Sequence, residues 1–226
     1  MRADGQEVVT ADTASDTKVA GHATGTTAAA KRFEIATKGK VRLYGVALEN
    51  TRGAVVDNFG IVSVHAKNFA ARNTNDFAAE LAHRGADLAI VMIGANEAQW
   101  LAPGDRAMKE YQSHFEKALA PLRKGRPDGT CLVVSPLDQA EAQDGAYPSR
   151  PVMPAFVHAQ RKAAKAVGCA FFSTYDWMGG KGSAAKWYKR GLVGTDFQHL
   201  TRKGANKLAD GVFDVFMAGY QRYASR

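Results

Sequence analysis

Apolar residues in the first fifty positions fall in short stretches separated by Thr, Gly and Asp, with no recurrence at helical spacing. Val8–Thr10, Arg32–Ile35 and Val41–Leu48 are such stretches. Apolar runs of this length bounded by turn residues predict strands. Residues 1–52 are therefore expected to form a β-rich segment.

From residue 53 onward the pattern changes to apolar runs alternating with helical stripes. Ala54–Ile61 reads as a short strand ending in a Gly turn. Asn75 is placed to cap a helix that points Phe77, Ala78, Leu81 and Ala82 inward and closes at Gly85. Asp87–Ile93 is nearly all apolar, as a strand covered on both faces must be. Asp105 opens a helix with Met108, Tyr111, Phe115, Leu119 and Leu122 at three- and four-residue steps. Leu132–Val134 and Cys169–Phe172 read as strands around a helix from about Pro154 to Val167, ended by Gly168. Thr201 starts a last helix, with Leu208, Val212, Val215, Phe216 and Tyr220 on one face. This alternation predicts an α/β domain over residues 53–226, a parallel sheet with helices on both sides. Ligands bind such sheets at the carboxyl ends of their strands, which singles out the loops after Ile61, Ile93, Val134 and Phe172.

Composition narrows the classes. An apolar share of 46% and a charged share of 23% are those of a globular domain. No run approaches the roughly 18 apolar residues of a membrane span. The polar, Thr/Ala-rich first thirty residues contain no signal-peptide core. The net charge of +8 raises a nucleic-acid reading, but the basic residues are scattered over pairs such as Lys31-Arg32, Arg123-Lys124 and Lys189-Arg190, and no nucleic-acid motif accompanies them. Solvated helix faces account for them. Cys131 and Cys169 lie in apolar runs without metal-ligand spacing and read as two buried thiols, a disulfide between neighbouring strands being the alternative.

Two loops carry candidate chemistry. Gly94-Ala95-Asn96-Glu97 follows a strand, where a Gly permits a sharp turn and the Asn amide can face the cleft as an oxyanion donor. Plain turn chemistry would also account for these residues. Asp196-Phe197-Gln198-His199 immediately precedes the last helix, and a carboxylate three residues before an imidazole can orient it as a general base. His65, His83, His114 and His158 read as surface positions of helices or loops, and His22 lies in the β-rich opening.

In this order and spacing the motifs resemble those of the SGNH (GDSL-like) hydrolases. Gly94-Ala95-Asn96-Glu97 looks like the third block of that family, and Asp196–His199, followed by Gly204, like the fourth. Asn58–Ser63 is similar to the second, with Ser63 where the family has its oxyanion Gly. Trp177-Met178-Gly179-Gly180 looks like the exported bacterial members. The likeness runs from about residue 41 to 220. The first block, Gly-Asp-Ser, occurs nowhere in the chain.

The resemblance implies a three-layer, flavodoxin-like sheet and a serine esterase acting on ester-linked acyl groups of a carbohydrate or cell-envelope substrate, its partner an ester-bearing small molecule or an acylated glycan. It implies His199 as base, Asp196 as its orienting carboxylate, and Asn96 with the Ser63 backbone N–H as oxyanion donors. It implies no metal or organic cofactor, and an extracytoplasmic location. Some members insert a carbohydrate-binding β-sandwich between the first and second blocks, and residues 1–52 look like the tail of such an insert. On this reading the chain is the C-terminal part of a longer enzyme, inactive by itself and in need of its N-terminal half or of self-association. Ser63, Ser135 or Ser173 as a replacement nucleophile is the rival account. A non-catalytic carbohydrate-binding or interaction protein on the same scaffold is the alternative function.

Overall fold

The structure is a computed structural model that describes residues 1–16 and 21–225. The chain divides into two compact units, Met1–Phe59 and Gly60–Arg226.

In the first unit β1 (Arg2–Ala3) lies between β2 (Gln6–Glu7) and β3 (Phe33–Glu34) in an antiparallel sheet. Asp4 and Gly5 turn the β1–β2 hairpin with φ of 47° and 82°, the left-handed pair that a tight hairpin requires. The Asp4 carboxylate accepts from the amides of Lys31 and Arg32, which ties β3 to that turn. Of the expected strands here, Phe33–Glu34 lies inside Arg32–Ile35. The first falls on Gln6–Glu7 instead of Val8–Thr10, because the Val8 and Val9 amides both bond the Met1 carbonyl and so leave the ladder. Val41–Leu48 forms no strand, and Leu43, Tyr44, Val46 and Leu48 are exposed.

The second unit contains α1 (Ala66–Ala70), α2 (Thr74–Arg84), β4 (Leu88–Val91), a 3-10 turn (Glu97–Gln99), α3 (Asp105–Gly125), β5 (Thr130–Val134) and α4 (Met153–Val167). β6 (Ala170–Phe172), α5 (Thr174–Trp177), α6 (Ser183–Lys189) and α7 (Arg202–Ala224) follow. The strands form a parallel sheet in the order β4-β5-β6, with Ile90 opposite Leu132 and Val133 opposite Phe171. Alternation along β5 makes the layers. Cys131 and Val133 pack with Phe115 and Leu119 of α3 and Phe156 of α4, whereas Leu132 and Val134 pack with Leu208 of α7 on the other face. The stripe Met108, Tyr111, Phe115, Leu119, Leu122 is buried throughout, as its spacing predicts. Gly85 and Gly168 close α2 and α4, and Thr201 caps α7 by accepting from the Gly204 amide. The cap of α2 is Asn73, two residues before the expected Asn75, since its carboxamide oxygen accepts from the amides of both Asn75 and Asp76.

The structure departs from the sequence reading in the segment that precedes α1. Residues 54–61 form no strand, and Val55, Val56, Phe59 and Ile61 are exposed. An extended segment becomes a strand only where a neighbour takes its backbone groups, and no strand among the described residues pairs with this one. β4 is accordingly an edge strand covered on one face only, with Leu88, Ile90 and Met92 exposed, Ile90 at 54%. The second half of the α7 stripe, at Val215, Phe216 and Tyr220, is likewise open.

Cys131 and Cys169 form a disulfide, where the apolar runs favoured two thiols. The parallel register sets Leu132 opposite Ala170, which brings the preceding residues, Cys131 and Cys169, together at a Cα separation of 4.8 Å, within the range a bridge requires. The bond closes a 38-residue separation, and in the chain-entropy account a loop of that size contributes about 4 kcal/mol. Replacing both cysteines with Ala is expected to lower the unfolding free energy by about that amount, read from urea unfolding curves. A double variant as stable as the native chain would show that the sheet gains nothing from the bridge.

Candidate active site

The loop after β4 turns at Gly94, whose φ of +108° is outside the range of ordinary side chains. A Cβ there would lie 2.5 Å from Gln160 Nε2 and 2.6 Å from Tyr111 Oη. Both belong to a buried network in which Gln160 Nε2 donates to the Ile93 carbonyl and to Tyr111 Oη, each at 2.8 Å. Burial, and secondarily the charge of Glu97, push the Tyr111 hydroxyl well above its ordinary pKa, with the Gln160 bond opposing; it stays protonated.

Beyond Gly94, two side chains strap the loop to the segment that contains Ser63. Asn96 Nδ2 donates to the Val64 carbonyl at 3.2 Å, and the buried Glu97 accepts from the Ala66 amide at 2.5 Å through Oε1. Ser63 is exposed, has φ of +59°, and its N–H makes no hydrogen bond among the described residues. A left-handed backbone is what a Gly adopts freely and a Ser adopts at a cost of roughly 1 kcal/mol.

The second pair sits on the loop before α7. His199 Nδ1 and Asp196 Oδ2 are 2.6 Å apart, and Asp196 Oδ1 accepts from the amides of Gln198 and His199 at 3.1 and 3.0 Å. Partial burial alone would raise the Asp196 carboxyl. The bonds from the amide and ring of His199 and the amide of Gln198, with the imidazole's charge, outweigh it and hold the carboxyl below the ordinary aspartate range. With Nδ1 committed to the carboxylate, Nε2 is left without a hydrogen bond among the described residues on a ring whose side chain is 74% exposed. Such an imidazole can accept a proton at Nε2 and share the resulting charge with the carboxylate.

Between these two residues Phe197 points inward. It is 6% exposed, has φ of +57°, and its ring stacks on Tyr147 at 4.3 Å and meets Tyr188 at 4.7 Å. The buried ring holds a strained backbone that turns both Asp196 and His199 outward. Tyr147 comes from a hairpin after β5, bridged at Ala140–Ser149 and Gln143–Ala146 and turned at Asp144-Gly145. Buried Asp138 fixes its foot: Oδ2 accepts from Ser149 Oγ at 2.7 Å and from the Ala184 amide of α6 at 3.0 Å.

Asn96 is thus joined to the Ser63 segment, and Asp196 to His199, but no hydrogen bond or ion pair among the described residues links the two pairs directly. The loop after β5 connects them. Gln139 Nε2 donates to the Ala95 carbonyl at 2.8 Å, and Ala140 packs with Phe197. Sequence reasoning missed Gln139, Asp138 and this hairpin, although Asp144-Gly145 is a strong hairpin-turn signal. Ser135 is fully buried, bonding the Pro136 carbonyl, and Ser173 caps α5 by accepting from the Asp176 amide. Neither hydroxyl bonds His199.

The family model for the GDSL-like lipases and acylhydrolases matches residues 21–207. No curated protein sequence matches the chain. A solved structure of a peptidoglycan O-acetylesterase is similar at 22% identity and a TM-score of 0.54, over 66% of this chain and 45% of that one. This chain thus spans less than half of that protein, and at this identity the likeness is one of fold. A protein of solved structure from Lactobacillus plantarum aligns at 13% identity and a TM-score of 0.47, over 69% of this chain and 74% of its own.

Two outcomes are expected from this geometry. Gly94→Ala should lose about 1–3 kcal/mol, because the new methyl displaces Gln160 or Tyr111 from a packed network; an unchanged urea midpoint would contradict it. The Asp196 carboxyl carbon, followed by NMR, should titrate below the ordinary aspartate range, and His199→Ala should move it part of the way back, since the backbone bonds remain. A carboxyl held low in the folded state stabilises above its unfolded pKa. That contribution is lost as pH falls through the folded value.

Proposed function

This chain belongs to the GDSL-like lipase/acylhydrolase family, and we propose that it carries the base, the orienting carboxylate and the oxyanion loops of a serine esterase. The observation that carries this reading is the 2.6 Å contact between His199 Nδ1 and Asp196 Oδ2, which leaves Nε2 open to solvent.

In the complete site a serine hydroxyl attacks the acyl carbon while Nε2 of His199 takes its proton. Asp196 keeps Nδ1–H in place and stabilises the imidazolium. The negative charge that develops on the former carbonyl oxygen is met by the Asn96 carboxamide and the Ser63 backbone N–H. Collapse of that intermediate expels the alcohol, protonated from Nε2, and water repeats the sequence to release the acid.

The nucleophile comes from polypeptide outside these 226 residues. Three features support this: the absence of Gly-Asp-Ser from the chain, the engagement of Ser135 and Ser173 in structural bonds, and the open edge and outer face of β4. A further parallel strand bearing a serine at its carboxyl end would lie against β4, with that serine beside the Asn96 loop. The substrate is an ester-linked acyl group on a carbohydrate of the cell envelope, a reading supported by the fold shared with a peptidoglycan O-acetylesterase. A disulfide between β5 and β6 accords with an oxidising, extracytoplasmic compartment.

A fluorophosphonate probe with peptide mapping tests this directly. The chain alone should remain unlabelled and hydrolyse p-nitrophenyl acetate no faster than its His199→Ala variant. A longer polypeptide that supplies the serine should label on it and lose on the order of 10³-fold or more in kcat on His199→Ala. Labelling of Ser63, Ser135 or Ser173 in the short chain would overturn the external nucleophile.

A further inference from the structure

A cavity of about 410 Å³ opens between α1, the 3-10 turn after Asn96, and α3. His65 and Asn68 form one wall, Glu97 and Trp100 a second, and Glu110 and His114 a third. The sequence placed His65 and His114 on plain surface; the tertiary fold brings both to this hollow. Its volume is that of pockets that hold small ligands, and it is distinct from the Asp196–His199 loop, none of whose residues lines it.

We propose that this cavity is a saccharide subsite that seats one neutral pyranose ring of the acylated glycan. The proposal rests on the esterase reading above for its place in the reaction, though not for its chemistry. Three observations point to a sugar.

Glu97 is 3% exposed, and its Oε2 has no hydrogen-bond partner; neither has Nδ1 of His65, 3.9 Å away. That separation is too long for a hydrogen bond, and buried polar atoms left unpaired are costly. A hydroxyl can donate to a carboxylate oxygen while accepting from an imidazole N–H, so one sugar hydroxyl satisfies both after a small side-chain adjustment.

Trp100 is 62% exposed at the mouth, and its indole is braced by the His65 ring at 5.5 Å. An indole presented to solvent in this way offers a flat apolar surface to the C–H face of a pyranose. Groups of both signs line the cavity, with Lys67 set against Glu97 and Glu110 beside the imidazoles of His65 and His114. No single sign prevails, which disfavours a phosphate or an ammonium ligand and suits a neutral polyol.

Position supplies the link to the reaction. Glu97 directly follows Asn96, and His65 lies two residues after Ser63. A ring held here has its own acyl substituents, or those of the next residue, within reach of both oxyanion loops.

Isothermal titration of the chain with N-acetylglucosamine tetrasaccharide tests the site without any turnover. Saturable binding is expected, weakened about tenfold or more by Trp100→Ala, as for an exposed aromatic anchor, with the melting temperature unchanged. His114→Ala should weaken binding as well and gives a second, independent wall of the cavity. Binding that survives both substitutions, or no binding at millimolar sugar, would overturn the subsite. So would competition by inorganic phosphate, which would mark an anion site. Sugar binding with no ester turnover in any serine-bearing form would sink the esterase reading and leave the subsite standing. Turnover without sugar binding would do the reverse.

Discussion

The loop leaving β5 holds the candidate site together, and it does so by means of a buried carboxylate. Asp138 is fully buried, and its Oδ2 is the oxygen that finds donors, Oδ1 having no hydrogen-bond partner among the described residues. Ser149 and the Ala184 amide supply them, and in doing so fasten the foot of the hairpin to the start of α6. The next residue, Gln139, reaches the Ala95 carbonyl beside Asn96, and the one after, Ala140, packs on Phe197 between Asp196 and His199. Gln139 and Ala140 thus tie the Asn96 loop and the histidine loop to the one segment whose hairpin Asp138 fastens to α6. Removal of the Asp138 carboxylate would leave Ser149 and Ala184 without their acceptor and would loosen both pairs at once.

This arrangement divides labour between rigid and exposed parts. Gly94, Gln160 and Tyr111 form a packed, neutral network under the Asn96 loop, and burial keeps the tyrosine hydroxyl protonated. Phe197 anchors the other loop from inside. The groups that would do chemistry stand on the solvent side of these anchors, an economical way to keep them accessible and oriented together.

Much of the second unit was legible because helical stripes and apolar strands report burial directly: Met108 to Leu122 reads as one face, and that face is buried. The Asp196–His199 loop was legible because its spacing permits the contact the structure contains. Residues 54–61 were misread for a physical reason. Apolarity tells that a segment favours burial but not whether a neighbouring strand exists to pair with it, and no strand among the described residues pairs with this one. The pairing of Cys131 with Cys169 depends on the β5–β6 register, which no local pattern encodes. His65 and His114 looked like surface residues because their shared cavity exists only after α1 and α3 pack.

The exposure of His199 limits what the pair can do alone. In water an Asp–His contact is screened and contributes little. The strength of such a pair appears when something covers it, because each charge interaction grows as water leaves. The open side of β4 and the uncovered half of the α7 stripe lie in the same unit as the pair. An element that buried those apolar surfaces would gain free energy in proportion to the area covered. If the same element brought the serine, the hydrophobic gain would drive the assembly that the chemistry requires. Stability and catalysis would then be coupled, with the carboxylate–imidazole pair already set and the nucleophile delivered by burial.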